Sequence, residues 1–167
     1  MVILPGPPAT RRLTLLPVTP LMKLAMQSSR AAFADLAGVS LPEGWPEFPQ
    51  AFSDCAETPD PWHGYLFVRR DDSQLVGNGG FVGPPGSDGS VEVGYEIAPE
   101  LRNQGYATEA AAGLVELAFT HGVRAVTAHS LPWPNASTAV MQKLGMTRRD
   151  EVTTPEGVIW RWGVEGP

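Results

Sequence analysis

The most informative part of the sequence runs from residue 96 to residue 110 and reads EIAPELRNQGYATEA. It begins as the end of a strand, which Pro99 closes, and continues through a short polar loop, residues 102–104, to Gly105. A helix follows at once. The first N–H groups of a helix have no internal partners and lie at the positive end of the helix dipole. The stretch therefore predicts a cradle for an anion such as phosphate or pyrophosphate.

The same stretch excludes two familiar phosphate-binding motifs. A Walker loop needs Gly-Lys followed by Ser or Thr, and a dinucleotide fingerprint needs Gly-x-Gly-x-x-Gly, and neither occurs here. Gly105 also has a simpler interpretation, in which it only shapes a turn, because glycine adopts backbone angles that other residues avoid. A single glycine does not decide between a cradle and a turn.

The pattern around this stretch predicts the element order β, α, βββ, α, β, α, ββ in a single domain. Thr19-Pro20 has the composition of a helix start, and residues 20–36 predict one or two short helices. Residues 38–61 contain five prolines and predict a long loop, of the kind that often forms a lid or a binding loop. Strands are predicted at residues 12–19, 64–69, 74–82, 90–97, 124–130, 146–152 and 158–164, and further helices at 105–121 and 135–144.

Composition limits the classes of partner. The 12 Lys and Arg against 18 Asp and Glu give a formal net charge of -6, which argues against a nucleic-acid partner and favours a cationic one. No apolar run approaches the ~20 residues of a membrane helix, and the prolines near the start argue against a signal peptide. Cys55 is the single cysteine, so we expect no disulfide, no metal site and a cytoplasmic location.

Two motifs carry a resemblance to a known family. Arg102-x-x-Gly105-x-Ala107 matches the Arg/Gln-x-x-Gly-x-Gly/Ala motif of the GNAT superfamily of N-acetyltransferases. The string from residue 94 to residue 110 resembles the ribosomal-protein N-terminal acetyltransferase (Rim-type) branch, as does Ser137-x-x-Val-Met-x-Lys-x-Gly-Met. The resemblance covers most of the chain. It implies an α/β (α+β) GNAT domain, whose mixed and mostly antiparallel sheet has splayed central strands and is flanked by helices.

The resemblance implies acetyl-CoA as co-substrate and assigns a task to each part of the chain. Residues of about 12–62 would face the acceptor, about 64–145 would bind acetyl-CoA, and about 146–164 would supply the last strands. The pantetheine arm would lie against the splayed strand at Tyr95, Glu96 and Ile97. The remaining implied contacts to acetyl-CoA are Arg102, Asn103, Gln104, Gly105, Tyr106, Ala107, Thr108 and Asn135.

The implied reaction is direct attack of a primary amine, from a protein N-terminus or a small molecule, on the thioester. The amine must first lose a proton, since its pKa is about 8 for an α-amine and about 10 for lysine. Glu92 and Glu96 are the candidate bases, because strand alternation places both on one face with Gly94. Glu92 is preferred because GNAT members often place a glutamate on this strand. His129 on the neighbouring strand is a third candidate. The two glutamates could instead be exposed strand carboxylates, and His129 a half-buried polar residue.

The proton donor to the leaving sulfur has two candidates. Ser137 aligns with a serine that Rim-type enzymes place near the sulfur, although it could instead cap the helix. The branch has Asn three residues before that serine, where this chain has Pro134 followed by Asn135. Counting from Asn135 would make Thr138 the hydroxyl instead, and the choice stays open.

The acceptor should enter beside the N-terminal helices and the 38–61 segment. Candidate lining residues are Trp45, Phe48, Trp62 and Glu43 or Glu47, although the two tryptophans could simply pack the segment onto the core. The main alternative function is a non-catalytic acyl-CoA-binding or regulatory module, and a nucleotide-phosphate binder is a third. The family also allows a homodimer.

Overall fold

All seven predicted strands form, and they join into one sheet in the order β1-β2-β3-β4-β5-β7-β6. The computed structural model of the chain describes residues 6–55 and 57–167. Every neighbouring pair of strands is antiparallel except β4 and β5, which are parallel. The strands are β1 (Leu13–Pro17), β2 (Gly64–Arg69), β3 (Leu75–Phe81), β4 (Ser90–Ile97), β5 (Ala125–Ser130), β6 (Thr147–Thr154) and β7 (Gly157–Glu165). The predicted mixed, mostly antiparallel sheet is confirmed.

Local signals in the sequence set the helix boundaries. Thr19 caps the first helix by accepting a hydrogen bond from the Met22 N–H at 3.2 Å, with Pro20 at the first helical position. The predicted segment 20–36 then divides into two helices, because Ser29 is extended and caps the second. The helices are α1 (Pro20–Ser28), α2 (Arg30–Ala37), α3 (Pro49–Ser53), α4 (Tyr106–Thr120) and α5 (Ala136–Lys143).

The segment 38–61 is not the uninterrupted loop that its prolines predict. Pro49 begins the short helix α3. Proline is well tolerated at the first helical position, because the N–H that it lacks would have no hydrogen-bond partner within the helix there. Phe52 of α3 is buried against Phe33 and Trp45, with ring centroids 5.5–5.6 Å apart. This aromatic cluster holds the segment against the sheet.

The helices cover both faces of the sheet and enclose two cores. Alternation along β2 sends Phe67 into the core under α4 and α5, and Leu66 into the core under α1, α2 and α3. Each such buried side chain contributes about 1.5–3 kcal/mol. No helix in the described ranges is long and apolar enough to cross a membrane.

The central strands separate, as the fold prediction requires. β4 and β5 pair only over Ser90–Glu92 and Ala125–Thr127, whereas β4 continues along β3 and β5 continues along β7. Within the described residues, the edge of β4 beyond Glu92 therefore faces no strand on the β5 side. This gap lies directly before the loop that leads to α4.

Candidate functional site

The loop before α4 has the geometry of an anion cradle. Gly105 precedes the helix with φ of +81°, a left-handed conformation that non-glycine residues adopt only under strain, and Asn103 is also left-handed at +61°. Residues 102–105 are exposed, and the N–H groups of the first turn of α4 point toward this loop. An anion placed there would meet both these donors and the positive end of the α4 dipole.

Arg12 supports the cradle from behind. Its Nη1 donates to the Gln104 carbonyl at 3.0 Å, its Nε pairs with Glu109 at 2.7 Å, and its guanidinium lies 4.4 Å from the Tyr106 ring centroid. Burial works against ionisation of Glu109, but hydrogen bonds from Thr10 and Arg12 lower the pKa of Glu109 overall. Sequence reasoning missed Arg12, since it lies 92 residues from Gln104 and no local pattern links them.

The register of β4 determines which backbone groups face the gap. The Glu92 carbonyl accepts from the Val82 N–H and the Ala98 N–H donates to the Val76 carbonyl, both at 2.9 Å. Even-numbered residues of β4 therefore bond to β3, and the backbone groups of odd-numbered residues point toward β5.

This register separates the three residues expected beside the pantetheine arm. Tyr95 and Ile97 direct their backbone groups into the gap, whereas Glu96 directs its own toward β3. The Ile97 carbonyl also accepts a hydrogen bond from Arg102 Nε at 3.2 Å. Tyr95 and Ile97 are thus the members of the set that could bond to an extended ligand through the backbone.

Glu92 and His129, considered separately from sequence, form one hydrogen-bonded pair. His129 Nδ1 lies 2.7 Å from Glu92 Oε1. Glu92 is the last residue of β4 that pairs with β5, and His129 lies two residues beyond Thr127, the partner of Glu92. The pair therefore stands where the strands separate, and both side chains are partly exposed. A neutral ring that donates Nδ1–H to a carboxylate keeps its lone pair on Nε2.

The start of α5 distinguishes the two candidate hydroxyls. Asn135 caps the helix, since its Oδ1 accepts from the Thr138 N–H at 3.0 Å and its own N–H donates to Thr138 Oγ1 at 2.9 Å. Thr138 is buried and its hydroxyl is used in this cap. Ser137 is not the cap, and its Oγ lies 3.4 Å from the hydroxyl of Tyr95. Burial raises the pKa of Tyr95, and the hydrogen bond to Ser137 opposes that rise.

A cavity of about 310 Å³ opens on the face of the sheet that carries α1, α2 and α3. Glycines of β2, β3 and β4 form its floor, and a side chain at Gly94 would project into open space rather than against protein. Apolar walls come from Val18, Phe48 and Val82. Cys55, a free thiol, lies on the same wall, and burial raises its pKa.

Glu96 lies at one side of this cavity and is only 9% exposed. Its Oε2 accepts a hydrogen bond from the Glu47 N–H at 3.0 Å, while its Oε1 is buried with no partner among the described residues. Burial raises the pKa of Glu96, and the backbone hydrogen bonds from Glu47 and Phe48 oppose this. β4 is regular here, so Glu92, Gly94 and Glu96 share one face, as strand alternation predicts.

The predicted acceptor-side residues divide into two groups. Trp45 is buried and donates Nε1–H to Asn78 Oδ1 at 2.8 Å, and Trp62 packs between Phe81 and His121. Both tryptophans therefore pack loops onto the core, which is the simpler of the two interpretations. Glu43 is absent from the described lining, Phe48 contributes to it, and Glu47 approaches it through its backbone while its carboxylate pairs with Arg102.

No cluster of three or more His, Cys, Asp or Glu among residues 6–55 and 57–167 is arranged to hold a metal ion.

Comparison with known proteins supports the family. A model of the acetyltransferase (GNAT) domain matches residues 12–147. An uncharacterized N-acetyltransferase, YjdG of Bacillus subtilis (strain 168), is 32% identical over 87 residues, which are 52% of this chain and 50% of that protein. The chain thus matches about half the length of this curated relative.

Solved structures share the fold at low identity. A GNAT-family acetyltransferase from Bacillus anthracis is 16% identical with a TM-score of 0.64, covering 94% of this chain and 96% of that one. A putative ribosomal-protein-serine acetyltransferase from Vibrio cholerae is 15% identical with a TM-score of 0.64, covering 96% and 99%. Given the domain model that spans residues 12–147, the chain belongs to the GNAT acetyltransferase family.

Proposed function

We propose that the chain transfers the acetyl group of acetyl-CoA to a primary amine, of a protein N-terminus or of a small molecule. The observation that carries this proposal is the gap between β4 and β5, which lies between the anion cradle and the glycine-floored cavity. A ligand with a pyrophosphate at one end and a thioester at the other would span from the first to the second. Family membership and the two Rim-type motif strings support the same activity.

Acetyl-CoA binding is assigned to the cradle and to the free edge of β4. Residues 102–108 would hold the pyrophosphate through backbone N–H groups and the α4 dipole. The pantetheine arm would bond to Tyr95 and Ile97 as an added strand would. Asn135 acts indirectly in this proposal, because its side chain is engaged in capping α5.

Proton removal from the acceptor is assigned to the Glu92–His129 pair. His129 Nε2 offers the lone pair, and Glu92 orients the ring and stabilises its charge once the proton arrives. The neutral amine nitrogen then bonds to the thioester carbonyl carbon. A backbone N–H on the free edge of β4, that of Tyr95, is positioned to donate to the developing oxyanion.

Stabilisation of the departing thiolate is assigned to the hydroxyl of Ser137. When the carbon–sulfur bond breaks, the negative charge passes to sulfur and a nearby hydroxyl stabilises it, and the thiolate takes up the second proton that the nitrogen loses as the amide forms. Ser137 faces Tyr95 across the gap, whereas the hydroxyl of Thr138 is committed to the helix cap. The geometry therefore favours Ser137 over Thr138.

The test is thiol release from acetyl-CoA with a panel of primary amines, together with calorimetric titration of CoA. We expect amine-dependent thiol release and acetylated amine detected by mass. CoA binding without turnover on any amine would instead support the acyl-CoA-binding module. Stabilisation of the chain by ATP but not by CoA in thermal melting would support the nucleotide-phosphate binder.

A further inference from the structure

The charges that line the cavity are all of one sign. Among the described lining residues, Asp54 and Glu96 carry carboxyl groups and none is Lys, Arg or His. Two cations near the cavity are paired with carboxylates: Arg102 pairs with Glu47, and Lys23, which also donates to the Cys55 carbonyl, pairs with Glu57. The cavity therefore presents apolar walls and negative charge to whatever occupies it.

The carboxylate of Glu96 is only partly hydrogen-bonded within the described chain. The residue is more than nine-tenths buried, one carboxylate oxygen holds the 38–61 segment through the Glu47 N–H, and the other has no partner in the described chain. A buried carboxylate oxygen without a partner is costly, and natural proteins seldom retain one. A cationic ligand in the cavity would complete its hydrogen bonding and offset its charge.

The spacing along β4 indicates the length of that ligand. Glu92 and Glu96 are four residues apart on one face, which is about 14 Å along a strand. The reacting nitrogen is assigned to His129 Nε2, which Glu92 holds, and the second nitrogen to Glu96, so this interval limits the separation of the two nitrogen atoms to on the order of 10 Å. The interval is bridged by the bare backbone of Gly94 and walled by Phe48 and Val82, so it suits an apolar chain.

We propose that Glu96 binds a second ammonium group of the acceptor, so that the acceptor is a compact diamine with an apolar chain between its two amino groups. This inference rests on the proposed function, which places the reacting amine at the Glu92–His129 pair. A carboxylate on the same chain would be disfavoured, because the described lining offers it no cation.

Three acceptors that differ by one group test the inference: pentane-1,5-diamine, pentylamine and lysine. Pentylamine lacks the second amine, and lysine adds a carboxylate to the diamine. We expect kcat/KM for the diamine to exceed that for pentylamine by about tenfold or more, as the loss of a charge-assisted hydrogen bond requires. Lysine should be poorer than the diamine. Equal values for all three would overturn the inference.

Glu96→Gln provides the matching variant. Its amide oxygen can still accept from the Glu47 N–H, but the negative charge is gone. The ratio of diamine to pentylamine activity should fall toward one, through a higher KM for the diamine. Glu100→Gln is the control, since exposed Glu100 holds the same segment through the Gly44 N–H at 2.8 Å and lies outside the cavity. The control should keep the wild-type ratio, and loss of the ratio in both variants would overturn the inference.

A binding measurement separates this inference from the proposed function. Pentane-1,5-diamine is titrated into the protein without acetyl-CoA, and thermal melting verifies that each variant is folded. Binding to wild type that Glu96→Gln weakens by about tenfold supports the diamine site even if no amine is acetylated. Turnover of pentylamine with no measurable binding of the diamine would uphold acetyl transfer and overturn the diamine site.

Discussion

Replacing Gly105 by glutamate should abolish CoA binding, while the same replacement at Gly122 should leave it intact. The two glycines flank α4 at its opposite ends and share a φ of +81°. Gly105 lies in the anion cradle, and Gly122 lies beyond the C-terminus of the helix. Gly122→Glu therefore reproduces the backbone strain and the added charge of Gly105→Glu at a position that the ligand should not reach.

The structure gives the size of each effect. A side chain in the left-handed region costs about 1–2 kcal/mol, so each variant should melt roughly 2–8 °C lower than wild type. At Gly105 the added Cβ meets only the flexible end of Arg12, at 3.3 Å, and the substitution adds a carboxylate to the loop that is proposed to hold the pyrophosphate. Two like charges about 4 Å apart repel by about 4 kcal/mol near a protein surface, which corresponds to roughly a thousandfold loss of affinity.

The assay is calorimetric titration of CoA into wild type and both variants at one salt concentration, with melting curves for each. Salt must be held constant, since it screens the repulsion. Wild-type affinity in Gly105→Glu would refute the assignment of the cradle to the pyrophosphate. Equal losses in the two variants would refute it as well, because the loss would then follow from strain at either end of α4.

Three further outcomes are expected. Ser137→Ala should lower kcat by about a hundredfold or more at unchanged melting temperature. Thr138→Ala should lose about 2 kcal/mol of stability and keep its turnover, because its hydroxyl serves the helix cap. Acetyl-transfer assays and melting curves measure both effects, and the reverse pattern would contradict the assignment. Glu96→Gln should have the melting temperature of wild type near pH 4 and a higher one near pH 7. Burial raises the pKa of Glu96, so the stability of wild type falls as the pH rises from 4 to 7 and this carboxyl group loses its proton. A melting temperature below that of wild type at pH 7 would contradict this. Trp45→Phe should cost about 1–3 kcal/mol in chemical denaturation by leaving Asn78 without its donor, and an unchanged stability would contradict that hydrogen bond.

The elements that could be predicted from sequence are those with local causes. α4 begins after Gly105 and ends before Gly122 because each glycine takes a conformation that stops or starts a helix. The alternation of side chains along a strand is sufficient to predict that Glu92 and Glu96 share one face of β4. The start of α5 also has a local cause, the reciprocal bonds of Asn135 and Thr138, but the family motif points to Ser137 instead and conceals it.

The contacts that could not be predicted depend on register between distant segments. Glu92 and His129 are 37 residues apart, and they meet only because β4 and β5 run parallel and pair for three residues before separating. The family resemblance makes the two strands neighbours, but neither strand carries a signal that specifies this register. The unpartnered oxygen of Glu96 is equally invisible in sequence, because it results from the burial of one strand face beneath the 38–61 segment.

The glycines of β3 permit the register that divides the groups of β4 between the cavity and the gap. Side chains added at Gly77 and Gly79 would overlap the carbonyl oxygens of Glu96 and Gly94, so these two glycines let β3 approach β4 in its observed register. That register sends the side chain of Glu96 to the cavity and the backbone groups of Tyr95 to the gap. A register shift of one residue between β3 and β4 would exchange the two faces of the strand, and would move the Glu96 side chain and the Tyr95 backbone groups at once. In the proposed function, β4 would therefore bind acetyl-CoA through its backbone and the acceptor through its side chains only while β3 remains free of side chains at these positions.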